Sequence, residues 1–155
     1  MAPWKQPPIV KVYEAFSAVA GGRVAVTGAG AAKVTSSNGA RTYDVWWDAD
    51  GSTITANDSG STWQGYAGYP IIAVLLVQGR IQTDDSLMAP LASVDWHELN
   101  DRVKRRYDQA VEQVLAEAAA GGADRDAIAA AAEGVLEQLA ALHLQRSGHR
   151  QPPRG

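Results

Sequence analysis

The chain has 155 residues and a formal net charge of −3, and 46% of its residues are apolar. This length fits one domain whose core can form without metal or disulfide support. The chain contains three histidines and no cysteine. The absence of cysteine excludes disulfides, thiolate zinc sites, iron–sulfur clusters and a cysteine nucleophile. The mild charge excludes a histone-like polycation and an acidic solvating tail.

No targeting or membrane segment is recognised in the sequence. Residues 1–8 are rich in proline and lack the basic and apolar regions of a secretory signal. The longest apolar run, residues 70–77, is shorter than the stretch of about 20 residues that a membrane-spanning helix needs. We therefore expect a soluble, cytoplasmic protein without membrane contact.

The N-terminal half predicts a helix followed by a small antiparallel sheet. Apolar residues recur at spacings of three and four over residues 9–20, which is typical of an amphipathic helix, and Gly21 and Gly22 end it. Asn38-Gly39 and Asp50-Gly51 are hairpin-turn signals between segments of strand character. The result is a β-meander whose predicted strands cover residues 23–26, 32–36, 42–48 and 52–56.

The remainder of the chain predicts further helices. After a polar loop, Pro70 can open a helix over residues 71–78, which is apolar almost all round and therefore buried. Residues 95–120 and 124–145 are rich in alanine and glutamate and predict two long helices. Because Gly121 and Gly122 leave only a short break between them, the two helices should form an antiparallel hairpin.

These elements predict an α+β fold, in which a small antiparallel β-meander packs with an N-terminal helix and a buried helix. Residues 1–92 form the predicted core, residues 93–146 a C-terminal antiparallel helical hairpin, and residues 147–155 a disordered tail. The alanine-rich hairpin can dock on its own chain or pair with a second one. We expect a homodimer or other homo-oligomer through this hairpin.

The segment from Lys33 to Gln78 runs through strand, hairpin turn, strand, loop and apolar helix, with an Asn-Asp pair after the second strand. This order resembles the SWIM zinc-finger family, which carries Cys-x-Cys at the end of the second strand and Cys-x-His at the start of the helix. The resemblance implies a zinc-free ββα unit over about residues 32–79, held by packing, with a role in binding DNA or proteins. The positions of the four family zinc ligands are occupied here by Ile54, Ala56, Gly68 and Pro70, none of which binds zinc.

Aromatic residues and glycines are concentrated in the loop that follows the last strand. Aromatic side chains beside glycines can stack on bases or sugars, or they can pack the loop onto the sheet, and both interpretations stay open. Trp46 and Trp47 alternate along one strand, so only one of them can face the core. The candidate ligand or partner surface comprises Trp46, Trp63, Gln64, Tyr66 and Tyr69.

Acidic residues near the strands are interpreted as turn residues and solvated charges rather than a metal site. Asp44 and Asp48 share a strand face, and a divalent cation would need such oxygens. The sequence from Asp48 to Ser52 is similar to the start of a calcium loop, but Ser59 stands where that loop needs a glutamate. We predict neither a metal nor a cofactor.

A basic cluster lies within the predicted helix 95–120. Acidic neighbours at helical spacing offer an alternative in which these arginines only form a solvated face. Otherwise the cluster can contact phosphates, and further arginines at positions 146, 150 and 154 add to it. The candidate phosphate-contacting residues, which share one face of that helix, are Arg102, Arg105 and Arg106.

No nucleophile–base pair, metal cluster or phosphate loop is recognised, so no catalytic residue is predicted. The sequence favours a non-enzymatic intracellular interaction module that self-associates and binds protein or nucleic acid. The alternative is a small-molecule-binding protein or enzyme that uses residues 63–69 together with Asp44, Asp48 or Asp58.

Overall fold

A computed structural model describes residues 2–146 of the chain. Helices flank one face of a four-stranded sheet, and a second, two-stranded pairing joins the two ends of the described chain. The predicted α+β class is confirmed. The strands are β1 (Ala2–Pro3), β2 (Val24–Gly28), β3 (Ala31–Thr35), β4 (Thr42–Trp47), β5 (Ile54–Ala56) and β6 (Gln145–Arg146); the helices are α1 (Val10–Ala20), α2 (Tyr69–Val77), α3 (Asp85–Met88), α4 (Trp96–Arg102), α5 (Tyr107–Ala120) and α6 (Arg125–Ala141).

The four central strands form the predicted antiparallel meander, in the order β2-β3-β4-β5. The Asn38-Gly39 turn joins β3 to β4, and Gly39 has the positive φ of 75° that this turn requires. The second turn joins β4 to β5, where the Gly51 amide donates to the Asp48 carbonyl at 3.0 Å. Both hairpins therefore form where the local turn signals place them.

The register of the sheet decides which tryptophan faces the core. Trp47 pairs with Ile54, which is fully buried, and Trp47 packs against the hydrophobic core. Trp46 pairs with Thr55 on the opposite face, beside the pair formed by Lys33 and Asp44. Because side chains alternate along a strand, Trp47 is the inward residue of the two.

The helix α2 lies between the sheet and α1, and both helices are buried over most of their length. Five consecutive side chains of α2, from Ile71 to Leu75, are fully buried, so the helix has no polar face. Burying each large aliphatic side chain stabilises the fold by about 1.5–3 kcal/mol. The segment from Pro70 to Leu75 is thus the centre of the core.

The predicted long helix over residues 95–120 is wrong, because the chain turns between α4 and α5. The Arg105 amide donates to the Asn100 carbonyl at 2.7 Å, and the Lys104 amide donates to the Asp101 carbonyl at 3.1 Å. These two bonds form a Schellman motif, which ends α4. Lys104 and Arg105 both adopt left-handed backbone angles, with φ of 54° and 61°.

The turn lets both helices reach α1. Trp96 in α4 donates its indole N–H to the Ser17 hydroxyl of α1 at 2.7 Å, and both residues are buried. Ala110 and Val114 of α5 belong to the same hydrophobic cluster as α1. The contacts of α4 and α5 with α1 offset the energetic cost of the left-handed backbone angles at the turn.

The helices α5 and α6 form the predicted antiparallel hairpin, in which the Asp124 carboxylate accepts from the Ala127 amide at 3.1 Å and caps α6. The expected extension of α6 to residue 145 is wrong, since α6 ends at Ala141. The chain then buries Leu144 and pairs β6 with β1.

The N-terminal segment packs through Trp4 against β5 and β6. The Trp4 indole N–H donates to the Ile54 carbonyl at 2.9 Å, and the Arg146 guanidinium lies 5.5 Å from the centre of the Trp4 ring. Within residues 2–146, no helix is both long and apolar enough to cross a membrane. The predicted tail over residues 147–155, including Arg150 and Arg154, lies outside the described part of the chain.

Candidate functional site

A cavity of about 430 Å³ lies beside α1, between the β3–β4 loop and the start of α4. We call it the Glu14 cavity, because the Glu14 side chain forms part of its wall. Most of its lining is polar or aromatic, and its mouth carries several cationic side chains. The lining residues used below are Glu14, Arg23, Arg41, Tyr43, Tyr69, His97, Asn100, Asp101, Arg105 and Tyr107.

Glu14 and Lys11 form a buried ion pair on α1. They are three residues apart, so they lie on one face of the helix, and Glu14 Oε2 lies 2.9 Å from Lys11 Nζ. Only 8% of the Glu14 side chain and 15% of the Lys11 side chain are exposed. The Lys11 ammonium also lies 5.1 Å from the centre of the Tyr107 ring, which supports the cation through its π face.

The oxygen atoms of this wall are incompletely hydrogen-bonded. Asn100 donates its side-chain amide to Glu14 Oε1 over a long 3.4 Å. Glu14 Oε2 faces the Lys11 ammonium at 2.9 Å. Asn100 Oδ1 is buried and has no hydrogen-bond partner among the described residues.

Burial changes the proton affinity of the pair. Burial raises the pKa of Glu14 above its usual range, and the opposing effects of Lys11 and Asn100 do not cancel it. Burial lowers the pKa of Lys11, but the adjacent Glu14 carboxylate outweighs that effect, so the pKa of Lys11 is raised. A carboxyl group of raised pKa in a cavity wall can exchange a proton with a bound molecule.

Two tyrosines form the aromatic part of the cavity. The Tyr43 and Tyr69 rings meet edge to face, with centres 6.1 Å apart and an interplanar angle of 89°. Burial raises the pKa of both hydroxyls, which therefore stay protonated at neutral pH. No described residue forms a hydrogen bond with either hydroxyl in the structure. Both hydroxyls can thus bond a molecule in the cavity.

The position of Tyr69 depends on a close approach behind it. Asp58 is buried, and its Oδ2 accepts from the Ser61 amide at 3.2 Å. This carboxylate lies so close to Gly68 that a Cβ there would overlap it. Burial raises the pKa of Asp58, although hydrogen bonds from Ser61 oppose that effect. Gly68 therefore lets the start of α2, and Tyr69 with it, pack against the loop.

The mouth of the cavity carries more positive than negative charge. Arg23 donates to the Thr35 carbonyl at 2.6 Å, and His97 lies 3.7 Å from the Asp101 carboxylate. Within residues 2–146, the guanidinium groups of Arg41 and Arg105 form neither a hydrogen bond nor an ion pair. Two guanidinium groups are thus available to a molecule that enters.

The structure separates the predicted aromatic surface. Tyr69 lines the Glu14 cavity, whereas Trp46 lies on the outer face of the sheet. Trp63 is 70% exposed and lies with the exposed Gln64 on a short helical turn over Gly60–Gln64. Tyr66 packs against Gly60 and is half-buried. Of these five residues, only Tyr69 lines the Glu14 cavity.

The predicted basic cluster is also divided. The expectation that Arg102, Arg105 and Arg106 share a face of one helix is wrong, because the turn at 103–106 separates them. Arg105 lines the Glu14 cavity. Arg102 instead lies 3.9 Å from Glu98 on α4, and Arg106 precedes α5 as its N-cap residue.

The aspartates near the strands have structural partners. Asp44 lies 2.7 Å from Lys33 Nζ, and Asp48 accepts hydrogen bonds from Ser52 and Thr53 in the turn after β4. Residues 2–146 contain no group of three or more acidic or histidine side chains arranged to hold a metal ion. Neither aspartate lines the Glu14 cavity.

The sequence did not predict the roles of Glu14 and Asn100, which line the cavity, or of Lys11, which pairs with Glu14. One signal was present, because Lys11 and Glu14 interrupt a helix whose other residues are almost all apolar. Charged residues are rarely buried unless they are paired, so two of them three apart in such a helix indicate a buried pair. The contribution of Asn100 depends on the turn after α4 and has no local signal.

Comparison with known proteins identifies one relationship for most of the chain. No curated protein and no solved structure matches the chain significantly. The resemblance to SWIM modules therefore stays a prediction. A family model described as "Uncharacterised conserved protein UCP014422" matches residues 4–145, which include every described element from α1 to α6. The chain belongs to this family.

Proposed function

We propose that the protein binds a small polar molecule in the Glu14 cavity. The observation that carries this proposal is that Tyr43 and Tyr69 line the cavity, and no residue within 2–146 forms a hydrogen bond with either hydroxyl. A tyrosine hydroxyl both donates and accepts hydrogen bonds. A small polar molecule in the cavity can therefore form hydrogen bonds with both tyrosines.

The size and chemistry of the cavity support this function. Small-molecule sites have volumes of about 300–1,000 Å³ and combine aromatic walls with a few convergent polar groups. The Glu14 cavity has about 430 Å³, two tyrosine rings and a buried carboxyl group. A raised pKa at Glu14 also suits proton exchange with the ligand, but binding requires fewer assumptions than catalysis.

Self-association and nucleic-acid binding stay predictions from the sequence. The buried faces of α5 and α6 pack on α1 of the same chain, and the turn after α4 disperses the basic cluster. Neither feature favours these functions over ligand binding. The cytoplasmic location is likewise an expectation from the sequence alone.

Protein-observed NMR with the full chain tests the proposed function. The probes are imidazole, benzyl alcohol, benzoate and phenyl phosphate. We expect at least one of them to shift the amide signals of Glu14, Tyr69 and Asn100 saturably. Ala40 lies at the mouth, so Ala40→Trp should block that response, whereas Ala49→Trp, on the exposed turn after β4, should not. No saturable shift by any probe, or equal binding by Ala40→Trp, contradicts the proposal.

A further inference from the structure

We propose that the ligand of the Glu14 cavity carries a phosphate or carboxylate group that Arg41 and Arg105 bind at the mouth. This inference rests on the proposed function and adds the chemical class of the ligand. Guanidinium groups present a planar pair of donors that matches carboxylate and phosphate oxygens. The two arginines come from different segments, the β3–β4 loop and the turn after α4, and both line the cavity.

The first argument is the contrast between these two arginines and Arg23, the third arginine of the cavity lining. Arg23 donates its guanidinium N–H to the Thr35 carbonyl at 2.6 Å. Arg41 and Arg105 have no such partner among residues 2–146. In a chain whose net charge is −3, this is a local excess of positive charge beside a cavity. An anion is the ligand that such a site favours.

The second argument is that hydrogen bonds fix the backbone at both arginines. The Arg41 amide donates to the Ser36 hydroxyl at 3.1 Å. The Arg105 amide donates to the Asn100 carbonyl at 2.7 Å, in the Schellman motif that ends α4. Arg105 keeps a left-handed backbone with φ of 61°, and a residue held in such a conformation is a common feature of binding sites.

The inner wall of the cavity indicates which chemical group the ligand carries at the end opposite its anion. The Tyr43 and Tyr69 hydroxyls line the cavity, and no residue within 2–146 forms a hydrogen bond with either of them. A polar group on the ligand can bond to these hydroxyls while the anionic group remains at the arginines. The ligand is therefore a small bifunctional molecule, with an anion at one end and a hydrogen-bonding polar group at the other.

Isothermal titration with three probes of one shape tests the anion. Phenyl phosphate and benzoate carry the two candidate groups, and benzyl alcohol is their neutral counterpart. We expect at least one of the anions to bind at least tenfold more tightly than benzyl alcohol. Arg41→Gln and Arg105→Gln should each weaken that anion at least tenfold. The matched control, Arg102→Gln, removes an arginine three residues from Arg105 but outside the cavity, and should change affinity less than twofold.

The outcomes separate the two proposals. Tighter binding of phenyl phosphate assigns a phosphate ligand, and tighter binding of benzoate assigns a carboxylate ligand. Benzyl alcohol binding as tightly as both anions, or equal losses in Arg102→Gln and Arg105→Gln, overturns the inference and leaves the proposed function in place. Anion binding that persists in Ala40→Trp places the anion elsewhere and overturns both. The circular dichroism and melting temperature of each variant confirm that it is folded.

Discussion

Lys11 and Glu14 form an ion pair of 2.9 Å inside a helix that is otherwise buried among apolar side chains. Such a pair adds little stability over an apolar pair of the same size, because removing two charges from water is costly. Glu14 lines the cavity, and the Lys11 ammonium behind it holds the carboxyl group in a fixed position. The pair thus links the core of the fold to the proposed ligand site.

Removing the ammonium should destabilise the protein in a pH-dependent way. Lys11→Met leaves the Glu14 carboxylate buried without its cation, which costs about 3–5 kcal/mol at pH 8. The pKa of Glu14 is raised in the folded state, so its protonated form favours folding. The stabilisation from protonated Glu14 is complete below the pKa that this group has in the unfolded chain. It is lost as the pH rises through the pKa of Glu14 in the folded protein. The loss in Lys11→Met should therefore be smaller near pH 4.

Urea denaturation at pH 4 and pH 8 measures this difference in the free energy of unfolding. The double variant Lys11→Met with Glu14→Gln is the control, because it removes both charges and should recover much of the stability at pH 8. An equal loss at both pH values in the single variant would show that Glu14 is not the group left unpaired.

A methyl group at position 68 should also destabilise the fold. In Gly68→Ala the new Cβ overlaps the buried Asp58 carboxylate, and forcing extra volume into a packed site costs about 1–3 kcal/mol. The start of α2 shifts with it, so binding of the NMR probes at Tyr69 should weaken. Thermal and urea unfolding measure the loss of stability, and titration with the probes measures the weaker binding.

Gly28→Ala is the matched control for this change. A Cβ at Gly28 meets nothing within 4 Å, and the residue is exposed, so its effect should stay within about 0.5 kcal/mol. If Gly68→Ala were as stable as Gly28→Ala, the close contact between Gly68 and Asp58 would not limit the packing of α2.

Local signals explain which parts of the fold could be predicted from the sequence. Asn38-Gly39 and Pro70 each impose a backbone geometry through their own chemistry, so the β3–β4 hairpin and the start of α2 follow from them. The pairing of β1 with β6 joins residues at opposite ends of the described chain and covers two residues per strand. No local pattern predicts such a pairing, because it depends on packing that is already formed.

The site was harder to predict than the fold, for a related reason. Helical periodicity places Lys11 and Glu14 on one face of α1, but it does not show that Asn100 and Tyr107 cover that face. The turn after α4 contains neither glycine nor proline, so the apolar stripe from Leu99 to Val114 indicates one continuous helix. Tertiary contacts with α1 override this local preference.

The same turn yields a prediction about stability. Lys104 occupies the left-handed position of the Schellman motif, where glycine has no side-chain penalty and other residues pay about 1–2 kcal/mol. Glycine has more conformational entropy than lysine in the unfolded chain, which offsets part of this gain. Lys104→Gly should therefore raise the free energy of unfolding by about 0.5–1 kcal/mol.

Urea denaturation of Lys104→Gly and of Lys104→Ala separates the backbone effect from the loss of the side chain. The alanine variant keeps a Cβ and should not gain stability. A gain of equal size in both variants would assign the effect to the lysine charge and contradict the backbone explanation.

The buried hydrogen bond from Trp96 to Ser17 should fix α4 on α1 and, through α4, the position of Asn100. Ser17→Ala leaves the indole N–H buried without an acceptor, which costs about 1–3 kcal/mol. Trp96→Phe removes the donor as well as part of the ring, so the double variant should lose less than the sum of the two single losses. A double-mutant cycle of unfolding free energies should give a coupling of about 1 kcal/mol, and additive losses would show that the bond does not stabilise α4.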